Sequence, residues 1–145
     1  ATNRIREIAN YFNAEMVICD KHRKRANEIA SMVVIGDVAG RDVVIIDDIC
    51  DTGGTLAKSA GLLKEKGARS VRALITHPVL SGKAYENIEN SVLEELVVCD
   101  TIPLKKETSK IKPVTVAELF AVAIRNAYEN KSITSLFIHS QRKDK

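Results

Sequence analysis

The sequence has no tryptophan, and only three Tyr and three Phe. Single-stranded nucleic acid needs aromatic faces interleaved with cations. None interleave with the basic residues here, so no nucleic-acid partner is expected. Charge of one sign is also lacking: 22 basic and 19 acidic residues leave a net +3, too little to make the whole surface attract polyanions. Cysteine is scarce and odd in number. Cys19, Cys50 and Cys99 lie far apart without C-x-x-C spacing, which argues against a disulfide framework or a structural zinc site and for a reducing cytoplasm. Cys19 and Cys99 close short apolar runs, as small core residues do. No run approaches the about eighteen apolar residues of a membrane span, and no charged segment leading into an apolar stretch opens the chain as a secretory leader would. No internal repeat or low-complexity linker divides it. With 145 residues, 45% of them hydrophobic, the expectation is one globular domain over residues 1–140 and a disordered tail at 141–145.

What is present is organised around Val43-Val44-Ile45-Ile46-Asp47-Asp48-Ile49-Cys50-Asp51-Thr52-Gly53-Gly54-Thr55-Leu56. A run of β-branched residues reads as a strand buried on both faces, hence part of a parallel sheet covered by helices. It leads through two carboxylates into an Asp-Thr-Gly-Gly-Thr turn and a helical pattern from Leu56 to Lys66. Two glycines allow a tight turn with inward N–H groups, Thr52 and Thr55 add hydroxyls, and the helix contributes its positive end, so a small phosphate dianion fits. Asp47 and Asp48 would repel that phosphate. They suit sugar hydroxyls or a hydrated Mg²⁺ instead. Neither Gly-x-x-x-x-Gly-Lys-Ser/Thr nor Gly-x-Gly-x-x-Gly occurs, which excludes the commoner phosphate loops.

The rest of the chain alternates helix and strand. A helix capped by Thr2 or Asn3 carries Ile5, Ile8, Ala9 and Phe12 and ends near Asn13. Glu15–Asp20 reads as a short buried strand, 29–35 as a hairpin or flap, Ser70–Thr76 and Leu93–Cys99 as strands, 81–90 as a weak helix, and Val116–Tyr128 as a helix with Ala117, Phe120, Ala121 and Ile124 on one face. Lys105–Lys112 reads as a polar loop. The whole is a doubly wound, mainly parallel α/β domain with a small β flap, in which ligands bind outside the carboxyl ends of the strands. That rim collects Lys21–Arg25, Asp47–Thr55, His77–Gly82 and Asp100–Pro103. Lys21, Arg23, Lys24 and Arg25 put four permanent cations in five residues; two anion-seeking loops at one rim point to a polyphosphate substrate.

Val44–Leu56 resembles the phosphoribosyl-pyrophosphate loop of the type I phosphoribosyltransferase fold. The resemblance implies that Asp47 and Asp48 hold ribose hydroxyls and that Asp51, Thr52, Gly53, Gly54 and Thr55 cradle a 5-phosphate. Lys21-His22-Arg23-x-x-Ala26-Asn27 is similar to the catalytic loop of the ribose-phosphate pyrophosphokinases, which ordinary phosphoribosyltransferases lack. Further matches follow at Ile35-Gly36-Asp37-Val38, Thr76-His77 with Leu80-Ser81-Gly82, and Asp100-Thr101-Ile102-Pro103.

For that family the implied substrates are ribose 5-phosphate and ATP. The sugar's 1-hydroxyl attacks the β-phosphorus, a diphosphoryl group moves, and AMP leaves. Lys21 and Arg23 would stabilise the developing charge, with Mg²⁺ bridging polyphosphate oxygens. The resemblance also implies two tandem domains, of which this chain matches the second, so the chain alone is expected to be inactive. It implies a homo-oligomer, dimer or hexamer. A nucleotide-salvage phosphoribosyltransferase, which leaves the basic loop unexplained, and a non-catalytic synthetase-associated subunit, in which the loops would have decayed, are the alternatives.

Overall fold

The structure, a computed structural model, describes residues 2–22 and 31–137. The chain falls into two compact units, Val17–Val114 and Ala1–Met16 with Thr115–Lys145.

The larger unit is built on strands β3 (Asp42–Cys50), β4 (Ser70–Pro78), β5 (Glu95–Cys99) and β6 (Ile111–Val114). They form one sheet in the order β3-β4-β5-β6, every pair parallel. Helices α2 (Gly54–Glu65) and α3 (Ala84–Glu89) make the crossovers. Val71, Ala73 and Ile75 of β4 alternate inward and pack with Leu96, Val98, Leu63 and Ile88 in one core, as a period of two requires. Gly67 closes α2 in the left-handed region, at φ 91°, where a glycine costs least. This is the parallel α/β sheet flanked by helices that the alternation predicts.

Four readings change. β3 has one neighbour in the described sheet and Val44 is 49% exposed, so its apolar run is not buried on both faces. β6 lies within and beyond the stretch read as a polar loop. It carries Pro113, and an outer strand tolerates the missing N–H. Third, Glu15–Asp20 is not a buried strand: β1 runs Ile18–His22 and pairs antiparallel with β2 (Ser31–Ile35), apart from the main sheet, with Ile18 40% exposed. The hairpin foreseen for 29–35 therefore has β1 as its partner, and Lys21 lies in a strand rather than a loop. Last, α3 is shorter than 81–90, because Leu80 and Gly82 take positive φ and turn the chain first.

In the smaller unit α1 (Thr2–Tyr11) and α4 (Ala117–Tyr128) form where the helical spacing places them. No residue of α4 is buried: Phe120 and Ile124 of its apolar face stay exposed. The proposed tail at 141–145 lies outside the described residues.

Candidate functional site

β3 delivers Asp47 and Asp48 to the carboxyl edge of the sheet. Strand alternation then separates them. Asp47 lines a cavity of about 270 Å³ with Ile45, Ile75, Thr52, Gly53 and Thr55; both acids are exposed, and Asp48 does not line the cavity. One Asp47 carboxylate oxygen accepts the backbone N–H of Asp48 at 3.0 Å. Partial burial, and to a lesser degree the neighbouring Asp48, push the Asp47 carboxyl above its ordinary value.

The turn that follows closes on Gly53, at φ 71° and ψ −8°, which caps α2 without a side-chain hydrogen bond. A Cβ there would approach Ala84 O and Ile88 Cδ1 at 3.3 Å each, so both the backbone and the packing call for glycine. Gly54 differs: a Cβ would meet only Thr52 Oγ1, at 3.9 Å. Its bareness is not needed by the fold and leaves the backbone open to an incoming group. Gly53 brings no side-chain cap to the start of α2, which is the positive end of the helix dipole.

Loop and helix behind the turn brace it. Leu80 N–H donates to Cys50 O at 3.1 Å and Ser81 N–H to Asp51 O at 3.0 Å. The Ser81 hydroxyl donates to Asp51 Oδ1, and Asn87 Nδ2 donates to Thr52 O at 2.8 Å. Asn87 was missed by sequence reasoning because its role depends on α3 crossing the turn; Ser81 was visible only as part of a motif. Cys50 is 4% exposed, and burial pushes its thiol up, with the Gly53 N–H opposing and the Asp47 and Asp51 charges reinforcing.

His77 stands on the same edge. Its Nδ1 lies 2.9 Å from Thr101 Oγ1, and that hydroxyl donates to Thr76 O at 2.9 Å. A carbonyl only accepts, so the one hydroxyl proton is committed there and His77 Nδ1 is the donor. The structure thus joins Asp47, Asp51, Thr52, Gly53 and Thr55 around one cavity, with Gly54 in the first turn of the helix beside it. Lys21 is described as backbone in β1, directly opposite Met32; Arg23 lies outside the described residues.

Among the described residues no group of three or more His, Cys, Asp or Glu is placed to hold a metal, and no helix is long and apolar enough to cross a membrane. Magnesium typically needs one or two carboxylates plus substrate phosphates and waters. Asp47 and Asp51 at one cavity meet that lesser demand.

A parallel sheet whose first strand runs through a glycine turn into a helix defines an α/β domain with a cavity at the carboxyl edge of its strands. Residues 11–138 match the family described as Phosphoribosyl synthetase-associated domain, and the chain belongs to that family. It is 56% identical over 135 residues to a ribose-phosphate pyrophosphokinase of Wolinella succinogenes and 53% identical over 135 to that of Campylobacter jejuni, covering 93% of this chain and 44% of each relative. The crystal structure of phosphoribosylpyrophosphate synthetase from Mycobacterium smegmatis matches with a TM-score of 0.69 at 34% identity, over 77% of this chain and 37% of that one. The chain therefore spans less than half the length of these relatives.

Proposed function

We propose that the chain is the sugar-phosphate half of a ribose-phosphate diphosphokinase, an enzyme that transfers the diphosphoryl group of ATP to the 1-hydroxyl of ribose 5-phosphate. The unbroken Asp47-to-Thr55 turn, with its acids on the strand side and the start of α2 on the other, supports this reading most strongly. Thr52, Thr55 and the backbone of Gly53 and Gly54 bind the 5-phosphate, with Asp51 held beside them by Ser81. Asp47 accepts hydrogen bonds from the ribose hydroxyls at the cavity and Asp48 does so from the rim outside it, orienting the 1-hydroxyl away from the cradle.

Such a transfer rests on positioning and charge neutralisation, with no covalent enzyme intermediate. Lys21 and Arg23 supply cations to the polyphosphate. Mg²⁺, if held by Asp47 together with substrate oxygens and water, would neutralise polyphosphate charge. A homo-oligomer, dimer or hexamer, and a cytoplasmic setting belong to the same proposal.

The test is formation of AMP and phosphoribosyl pyrophosphate by the protein at the full length of its relatives. Lys21→Ala is expected to slow turnover by at least about a hundredfold, within the range of one lost charge-stabilising donor, and to leave ribose 5-phosphate affinity nearly unchanged. Full activity in Lys21→Ala contradicts the role given to Lys21. Binding of ribose 5-phosphate without any transfer favours the non-catalytic subunit instead.

A further inference from the structure

The β1–β2 hairpin shares no backbone ladder with the four-stranded sheet, so its seat against α2 and the core is set by side chains. Two alternate residues of β2 do this. Val34 packs against the main core. Met32 brings Sδ to 3.2 Å from Ser59 Oγ, while Val33 and Ile35 on the other face are 47% and 57% exposed. Ser59 is 7% exposed, lies one turn beyond Thr55 in α2, and lines the same cavity as Asp47 and Thr52. The one proton of its hydroxyl is shared between Met32 Sδ and Thr55 O, the latter at 3.0 Å, which ties the Met32 foothold to the first turns of α2. The antiparallel register sets Lys21 directly against Met32.

We propose that Met32 is a positioning residue for Lys21: docked on Ser59, it fixes how the hairpin seats on α2 beside the cavity, and the transfer step depends on that seat. The proposal rests on the catalytic reading of Lys21 given above. A thioether suits the task because it is long enough to reach α2 and soft enough to sit against a hydroxyl. Shortening it leaves the ladder intact and lets the hairpin settle at a different distance.

The experiment uses full-length protein and the Met32→Val, Met32→Leu, Lys21→Ala and Lys21→Ala/Met32→Val variants. Valine favours strands, so the hairpin still forms; circular dichroism and a thermal melt check this. Met32→Val should lower kcat roughly tenfold, since misplacement by about 1 Å costs up to about a hundredfold. KM for ribose 5-phosphate should stay within about twofold, as expected when only transition-state interactions are lost. Met32→Leu, which keeps the reach, should restore most of kcat. The double variant should turn over no more slowly than Lys21→Ala, because the effect of Met32 runs through Lys21. Additive losses in the double variant, or a raised KM with kcat unchanged, overturn the proposal while leaving the enzyme assignment standing. Lys21→Ala with full activity overturns the role of Lys21 and this proposal with it.

Discussion

The Ser81 hydroxyl donates to the carboxylate of Asp51, joining the loop after β4 to the turn after β3. With the Ser81 N–H on Asp51 O at 3.0 Å, it holds the first residue of the turn from two directions. Preorganisation of this kind limits what a ligand must order on binding. Ser81→Ala removes one of the two bonds and should weaken ribose 5-phosphate binding by roughly threefold to tenfold, the worth of about 1 kcal/mol. The exposed position leaves thermal stability nearly unchanged. Calorimetric titration beside a thermal melt checks both; a large drop in melting temperature with intact affinity would show that the bond serves the fold alone.

Adjacent glycines should behave in opposite ways. Gly53→Ala puts a Cβ on a left-handed residue against Ala84 O and should cost about 1–2 kcal/mol of stability. Gly54→Ala meets no such obstacle and should hold or raise stability by up to about 1 kcal/mol, yet impair phosphate binding. Denaturant unfolding and titration of the two variants separate the effects, and equal destabilisation by both would refute the distinction.

Burial holds the Asp47 carboxyl above its ordinary value, so the folded state binds this proton more tightly than the unfolded chain. The resulting cost is absent below the unfolded carboxylate value and grows as pH rises from there through the folded value. Asp47→Asn should therefore be more stable than the parent at neutral pH, match it in acid, and lose sugar binding. Equal stability of the two proteins across that range would contradict the burial argument.

Asp42 has the opposite sign. The Arg69 guanidinium, bonded through Nε at 2.9 Å, and the Ser70 hydroxyl at 2.6 Å hold its carboxyl well below the usual carboxylate range. Its stabilisation is complete above the unfolded value and is lost as pH falls through the folded one. Asp42→Asn should flatten the acid side of the stability profile and leave its neutral-to-alkaline shape alone. Acid titration of unfolding in the two proteins reads this directly.

The organising strand, turn and helix were legible because their chemistry is local: β-branched residues, glycine and an adjacent helical period state the element on their own. The strand's setting was not, since Val44 reads the same in a central strand as in β3, beside which only β4 lies among the described residues. β6 was hidden for a related reason. Lys112 and Pro113 have little strand character, and the strand exists because its backbone meets β5 from Leu96 to Cys99. β1 was misread because the apolar run ending at Cys19 resembles a buried strand, while its actual partner is β2, across residues 23–30. The acids were read as a pair, yet the period of two sends Asp47 into the cavity and Asp48 away from it. The brace from Asn87 to Thr52 depends on packing alone.

The central claim is that the turn from Asp51 to Thr55 holds a sugar phosphate. It is tested most directly by calorimetric titration of the full-length protein with ribose 5-phosphate, beside Gly54→Asp. An aspartate in the first turn of α2 has steric room and favours the helix dipole, so the variant should fold, while its charge opposes the phosphate. The account predicts saturable binding by the parent and its loss in Gly54→Asp, with ATP binding retained. Equal binding by both, or no binding by a folded parent, would contradict it.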